Sequence, residues 1–457
     1  METMDRNIKP KESGQITFAL PKIEKFKLEN GLEVYFIQKN KLPLMQLNLI
    51  VNAGSTFDPD GKKGTSNLFA MAVDEGAGNY DALALSDEFD RLGSNFTVHS
   101  TQDSIYFSLQ SLSENFERSL ELFSTVLTKP HLSEQDFERE KRKVITRILQ
   151  LKDEPDEIAD SVFEKLLFGN KNPYASQTIG YDEDVKNISV EDLNNFYSKY
   201  IHPNNSALVV VGDITLIKLQ EQLNIYLKEW KSSPLPSPIL YQRKDNLSKI
   251  YVVNKKDSVQ TEIRMGHYSA KRNDGDYFSK SILNTILGGQ FTSRINLNLR
   301  EKKGYTYGAH SQFNYYKNEA YFYVSTSVSS ENTGNAVKEI FNELNNIKQG
   351  ALPGELEFAK SSIIRKFPSN FETYKQVATN LAGLILHSLP DNYFNTYLQN
   401  VNSVSMDSVN DAAKKYISPE QVITVLVGEK DKIINQLDEL KLGEVIEVDE
   451  RGNLIGN

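Results

Sequence analysis

The chain has no cysteine among its 457 residues, which excludes disulfides, Cys-ligated zinc and thiol catalysis together and leaves reducing and oxidising compartments equally open. It has no surplus of positive charge: 52 Lys and Arg stand against 61 Asp and Glu, a formal net charge of −9. Such a balance repels a phosphate backbone, and no Lys/Arg cluster interleaved with aromatics offsets it, so nucleic acid is not an expected partner. No apolar run approaches the roughly 20 residues that cross a bilayer, so no membrane insertion is expected. The opening METMDRNIKPKESGQITF is polar, without the apolar core of a signal peptide. The expected location is periplasmic if a leader has been removed and cytoplasmic otherwise.

Nucleophile and phosphate signatures are missing as well. No G-x-S-x-G elbow, Walker loop or G-x-G-x-x-G opens a helix after a strand. The Gly288-Gly289 pair lacks the lysine and the run of backbone donors that a phosphate site needs, and reads as a helix-to-helix turn. The six histidines, His99, His131, His202, His267, His310 and His387, include no pair at i,i+3 or i,i+4 on a predicted helix, the spacing that aims two ligands the same way. The acidic run DEPDE (153–157) reads as a solvated face.

What is present is a large soluble-type chain, 39% hydrophobic and 25% charged, long enough for roughly two to four domains. The Pro- and Ser-rich stretch KSSPLPSPILYQRKDN (231–246) separates two halves of similar length, with the linker proper at 233–246. After it, residues 249–287 repeat the layout of residues 33–73: strand, basic turn, alternating strand, polar loop, helix. Gln46 and Asn48 interleave with Leu47, Leu49 and Val51, as Gln260, Glu262 and Arg264 do with Thr261, Ile263 and Met265, the period of half-buried strands. DSIYFSLQSL (103–112) then matches EAYFYVSTSV (319–328), each followed by an amphipathic helix. A further helix opens after Leu132 with Ser133 as N-cap and Asp136 at the capping-box position, and Pro155 is expected to break or kink it.

Strands followed by runs of helices predict an α+β protein of two homologous halves, each a mostly antiparallel sheet with helices packed on one face. The expected boundaries are an N-terminal extension at 1–23, a first half at 24–232, a second at 247–440 and a tail at 441–457 that reads as a short strand or loose extension.

One stretch concentrates chemistry: LGGQFTSRINLNLREKKGYTYGAHSQF (287–313). Arg300 falls at a helix end and Tyr307 at the start of the next strand, so a guanidinium fork and a phenol can point at one place. Such an arginine holds a peptide carbonyl or carboxylate, and such a tyrosine donates to a developing oxyanion. The same two residues equally suit a helix-end arginine paired with a neighbouring acid and a tyrosine stacked on the sheet.

The ordered set Gly288-Gly289, Ser293-Arg294, Leu299-Arg300-Glu301 and Gly304 to Tyr307, with GSTFDPDGKKGTSNLFAMAVDEGAG (54–78) and PNNSALVVVGDI (203–214), resembles the pitrilysin family of metallopeptidases, which includes the mitochondrial processing peptidase. The similarity runs from about residue 24 to about 430 and implies a clamshell of two related halves. Active members carry H-x-x-E-H on the first-half helix and a glutamate on a later helix. Aligned on Gly64, those positions hold Asn67, Ala70 and Met71, and the glutamate falls near Thr146 or Arg147. An amide and a thioether are poor zinc partners, Ala70 cannot activate water, and Arg147 adds a repelling charge.

The resemblance therefore implies no autonomous peptidase and no cofactor in this chain. It implies the non-catalytic subunit of a heterodimeric zinc peptidase, with Arg300 and Tyr307 supplied in trans to a peptide held by a homologous partner that carries the zinc. A homodimer is left open. The segment GSNFTVHSTQDSIYF (93–107) matches the sheet edge where the family adds a peptide strand, but without the family's Asn-Ala. The long glycine-rich loop of the mitochondrial non-catalytic subunit is missing too. The competing expectation is a peptide-binding or structural scaffold of the same fold with no role in proteolysis, as respiratory-complex core subunits of the family are.

Overall fold

Apolar residues at alternate positions build two six-stranded sheets of matching order. The structure, a computed structural model, describes residues 14, 16–236, 248–440 and 444–455. The first half contributes β1 (Glu24–Lys27), β2 (Glu33–Gln38), β3 (Leu44–Val51), a small hairpin of β4 (Gly76–Ala77) and β5 (Tyr80–Asp81), β6 (Asn95–Ser100), β7 (Ile105–Leu112) and β8 (Ser206–Gly212). Its sheet runs β1-β2-β8-β3-β7-β6, with only β2 and β8 parallel.

The second half contributes β9 (Lys249–Asn254), β10 (Gln260–Tyr268), β11 (Ala309–Tyr315), β12 (Ala320–Ser329), β13 (Ile423–Gly428) and β14 (Val445–Val448). Its order is β14-β9-β13-β10-β12-β11, with β9 parallel to both neighbours. Leaving aside the outer strands β1 and β14, the two orders coincide. The repeat in sequence is a repeat in space: β2, β3 and the helix Thr65–Ala72 correspond to β9, β10 and the helix Tyr277–Leu287, and β7 corresponds to β12.

Local signals act where the sequence puts them. The Ser133 hydroxyl accepts the Asp136 N–H at 3.2 Å and starts the helix Glu134–Leu151. Pro155 breaks the run, since it is the first residue of a new helix, Pro155–Phe168. Of the expected linker 233–246, residues 237–246 lie outside the described residues.

Each sheet packs its own helices on one face. The opposite face is covered by a helix from the other half. Pro155–Phe168 lays Ile158, Val162 and Phe163 against Val253, Val425 and Val427 of the second sheet. The corresponding second-half helix, Tyr374–Leu386, lays Val377, Leu381 and Leu384 against Ile37, Ile50, Val209 and Val211 of the first. Phe18 and Leu20, from the expected N-terminal extension, join that cluster, with Phe18 against Phe367 and Phe371 at ring distances of 4.9 and 4.7 Å.

This exchange corrects the half-buried reading of the alternating strands. Met45 to Val51 are all buried, and the polar alternates face a covering helix instead of water. The Gln46 amide donates to Asn48 Oδ1 at 2.8 Å and to Ser108 Oγ at 2.9 Å. In the second half the buried Arg264 pairs with Asp160 of the visiting helix and with Glu262. Its guanidinium also donates to the Asp156 carbonyl at 3.3 Å. Buried polar groups of this kind require partners: Gln46 finds its own within the sheet, whereas Arg264 finds Asp160 and the Asp156 carbonyl on the visiting helix and ties it in place.

Candidate functional site

The helix Thr65–Ala72 carries Asn67, Ala70 and Met71, and its start is built with care. Gly64 precedes it at φ +102°, and a Cβ there would lie 2.7 Å from the Ile179 carbonyl oxygen, so only glycine fits. The Asp58 carboxylate accepts from the Gly64 and Ser66 N–H groups, each at 2.8 Å, and burial raises its pKa to about 7 against those hydrogen bonds.

One turn apart, Asn67 and Met71 are spent on each other, the amide donating to the thioether sulfur at 3.8 Å. Ala70 is buried at 2% exposure, and its methyl group cannot activate a water. On the neighbouring helix the Thr146 hydroxyl donates to the Arg142 carbonyl at 2.9 Å, and Arg147 pairs with Glu154 at 3.0 Å, which neutralises the charge expected to repel a metal. The nearby acids are engaged too. Glu75 pairs with Arg139, Glu140 pairs with Arg139 and Lys143, and burial, helped by both glutamates, pushes Asp74 up to about 6.

These residues do not fit zinc, and among the described residues no group of three or more His, Asp or Glu is arranged to hold a metal ion. Three of the six histidines have evident structural tasks: His131 bonds the Gly78 carbonyl, His202 those of Ser198 and Lys231, and His267 bridges Tyr268 and Ser418. After equilibration with excess Zn²⁺ and desalting, the chain should carry far less than stoichiometric zinc by elemental analysis. A full equivalent would overturn this account of the first half.

The second-half motif is laid out differently. After the helix Tyr277–Leu287 and the Gly288-Gly289 turn, a short helical turn (Arg294–Asn296) widens into a π-type turn, Leu297–Lys302. The Lys303 N–H reaches the Asn298 carbonyl at 3.0 Å, and the Tyr305 N–H reaches Leu299 at 2.9 Å, with Gly304 at φ +67° closing the turn. Wide turns of this kind redirect side chains and recur at functional sites.

The two arginines here part company. Arg294 is tied down, its Nε and Nη2 donating to Glu355 at 2.7 and 2.6 Å and Nη2 also to the Gly350 carbonyl at 3.1 Å. Arg300 is one-third exposed, lies 3.6 Å from Glu301 and 4.4 Å above the Phe291 ring, and makes no side-chain hydrogen bond among the described residues.

The two tyrosines separate as well. Tyr305 packs against the second-half core. Thr306 is pinned inward, its hydroxyl 2.7 Å from the Ser327 carbonyl and accepting the Gly308 N–H at 3.0 Å. Tyr307 is left 94% exposed. It is therefore not stacked on the sheet, whereas Arg300 does have the neighbouring acid that the bland expectation gave it. No hydrogen bond joins Arg300 to Tyr307 among the described residues. Sequence reasoning missed Phe291, a 60% exposed ring in contact with Arg300; its only signal was a large apolar residue in a Gly/Thr/Ser turn. The strands β6 and β11 are corresponding edge strands, as β1 and β14 are edges at the other side of their sheets.

Both halves match known families. The model described as Insulinase (Peptidase family M16) matches residues 34–179, and that described as Peptidase M16 inactive domain matches residues 187–363. The chain belongs to the M16, or pitrilysin, peptidase family and is of the type that lacks H-x-x-E-H, a non-catalytic, peptidase-like protein. It is 24% identical to the "Non-peptidase homolog YmxG" of Helicobacter pylori, over 87% of this chain and 92% of that one. It is 25% identical to the "Zinc protease PqqE" of the same organism, over 81% and 84%. A crystal structure of a peptidase M16 inactive domain from Pseudomonas fluorescens superposes with a TM-score of 0.84 at 24% identity, covering 89% of this chain and 98% of that one.

Proposed function

We propose that this chain is the non-catalytic subunit of a heterodimeric zinc peptidase, completing the chamber and offering Arg300 and Tyr307 to a peptide held by a homologous, zinc-bearing partner. The observation that carries the reading is the contrast within one motif: Arg294 holds Glu355 in a two-pronged pair and bonds the Gly350 carbonyl, while Arg300 makes no side-chain hydrogen bond among the described residues and Tyr307 stands in solvent. A free guanidinium fork binds a peptide carbonyl or a terminal carboxylate in two-pronged fashion. A phenol seven residues further on can donate a hydrogen bond to the oxygen on which negative charge develops as the amide is attacked; exposed in the free chain, it takes up that position when partner and substrate close around it.

The pair of relatives from one organism, one described as a non-peptidase homolog and one as a zinc protease, is consistent with such a division of labour. The scaffold reading draws on a different fact: Glu301 and Phe291 already occupy two sides of Arg300.

Co-expression with an H-x-x-E-H homologue from the same genome, followed by cleavage of quenched peptides, separates the two. Arg300→Ala should leave the complex assembled and lower kcat/KM about 100-fold, the scale of losing a preorganised donor, and Tyr307→Phe, an exposed donor, about 10-fold. An assembled Arg300→Ala complex with unchanged turnover would sink the in-trans role and favour the scaffold.

A further inference from the structure

We propose that Phe291 is a positioning residue for Arg300, holding the guanidinium face so that its N–H edge turns toward the peptide; this rests on the reading of Arg300 given above. Phe291 is out of place as a core residue, 60% exposed in the turn between two helices. Its ring lies 4.4 Å from the Arg300 guanidinium carbon. Stacking uses the face of the cation and leaves all of its in-plane donors available, whereas a carboxylate partner would consume them. Glu301, at 3.6 Å, is too distant to do so by hydrogen bonding.

The ring is itself held in position. Asn296, buried at 1% exposure, donates from Nδ2 to the Phe291 carbonyl at 2.6 Å, and its Oδ1 accepts the Ala309 N–H at 3.0 Å. Ala309 opens β11 two residues after Tyr307. A single buried amide thus ties the backbone that bears the ring to the backbone that follows the phenol, while Arg300 leaves the π-type turn between them. Phe291 has no comparable apolar task elsewhere: it belongs to none of the buried clusters or their partly buried margins.

The test uses Phe291→Leu, which keeps apolar bulk and loses the π face, and Phe291→Tyr, which keeps the face. In the free chain the Arg300 Nε–H proton should resonate upfield through the ring current, keep that shift in Phe291→Tyr and lose it in Phe291→Leu. In the assembled zinc-peptidase complex Phe291→Leu should lower kcat/KM about 3- to 10-fold, the scale of a cation–π contact. Phe291→Tyr should stay near wild type, and Phe291→Leu combined with Arg300→Ala should be no worse than Arg300→Ala alone. An Arg300 resonance unmoved by Phe291→Leu, or losses that multiply in the double variant, would overturn the positioning role while leaving Arg300 as a substrate contact. If Arg300→Ala itself leaves turnover unchanged, the reading of the site falls and this inference with it.

Discussion

Expressed separately, neither half of this protein should fold. The first sheet would lose the helix Tyr374–Leu386 and the Phe367–Phe371 turn that cover Ile37, Ile50, Val209 and Val211, and the second would lose Pro155–Phe168 from over Val253, Val425 and Val427. At about 1.5–3 kcal/mol for each large apolar side chain returned to water, re-exposing Phe367, Phe371, Tyr374, Val377, Leu381 and Leu384 costs on the order of 10 kcal/mol. That equals the entire stability of an ordinary domain, roughly 5–15 kcal/mol. Each half alone should therefore bind a hydrophobic dye, melt without cooperativity and aggregate, whereas the two co-expressed fragments should purify together and melt in one transition. A lone half with a sharp, reversible melt would contradict the exchange.

The second large effect is expected at Glu164, on the visiting helix. Its carboxyl end is enclosed although part of the residue meets solvent, and it accepts from the phenols of Tyr316 at 2.5 Å and Tyr321 at 2.7 Å, both from the second half. Glu164→Ala leaves two phenols without an acceptor and should cost about 2–4 kcal/mol in urea unfolding. Glu164→Gln keeps an acceptor and should stay within about 1 kcal/mol of wild type.

The pH dependence has a definite sign. Burial raises the Glu164 pKa above the usual carboxylate value of 4.5, against the opposing pull of the two phenols. Its favourable contribution is therefore complete below 4.5 and is lost as pH rises through the elevated value. The stability of wild type relative to Glu164→Gln should fall from acid toward neutral pH. A gap that widens as pH rises would show that the charged carboxylate is the favoured form.

Much of the architecture was legible because it is written locally and twice. The strand, turn, strand, loop and helix layout at 33–73 and again at 249–287 needs only short-range periodicity to be seen, and Ser133 and Pro155 act on their immediate neighbours. The exchange was not legible. The Arg264 to Asp160 pair spans 104 residues, and a polar alternate such as Gln46 or Arg264 reads the same whether it meets water or a helix from the far half.

At the candidate site, the helix-end arginine and the following tyrosine follow from motif order. The widening of that helix to i→i+5 bonding carries no compositional mark, and neither does the stacking of an exposed phenylalanine on one of two arginines six residues apart. That Asn67, Ala70 and Met71 are poor zinc donors or none follows from residue type alone and needs no structure to be read.

The reciprocal helices also set an order of events during synthesis. The last strand of the first sheet ends at Gly212, but its outer face stays uncovered until residues 374–386 have left the ribosome, on the order of ten seconds later at ordinary rates of translation. Through that interval the nascent chain displays Ile37, Ile50, Val209 and Val211 on an unfinished sheet, with contacts of very long sequence separation still to form. The first half thus remains a client for holding factors until the second is nearly complete, and a chain that stalls between the two is an aggregation hazard instead of a smaller working protein.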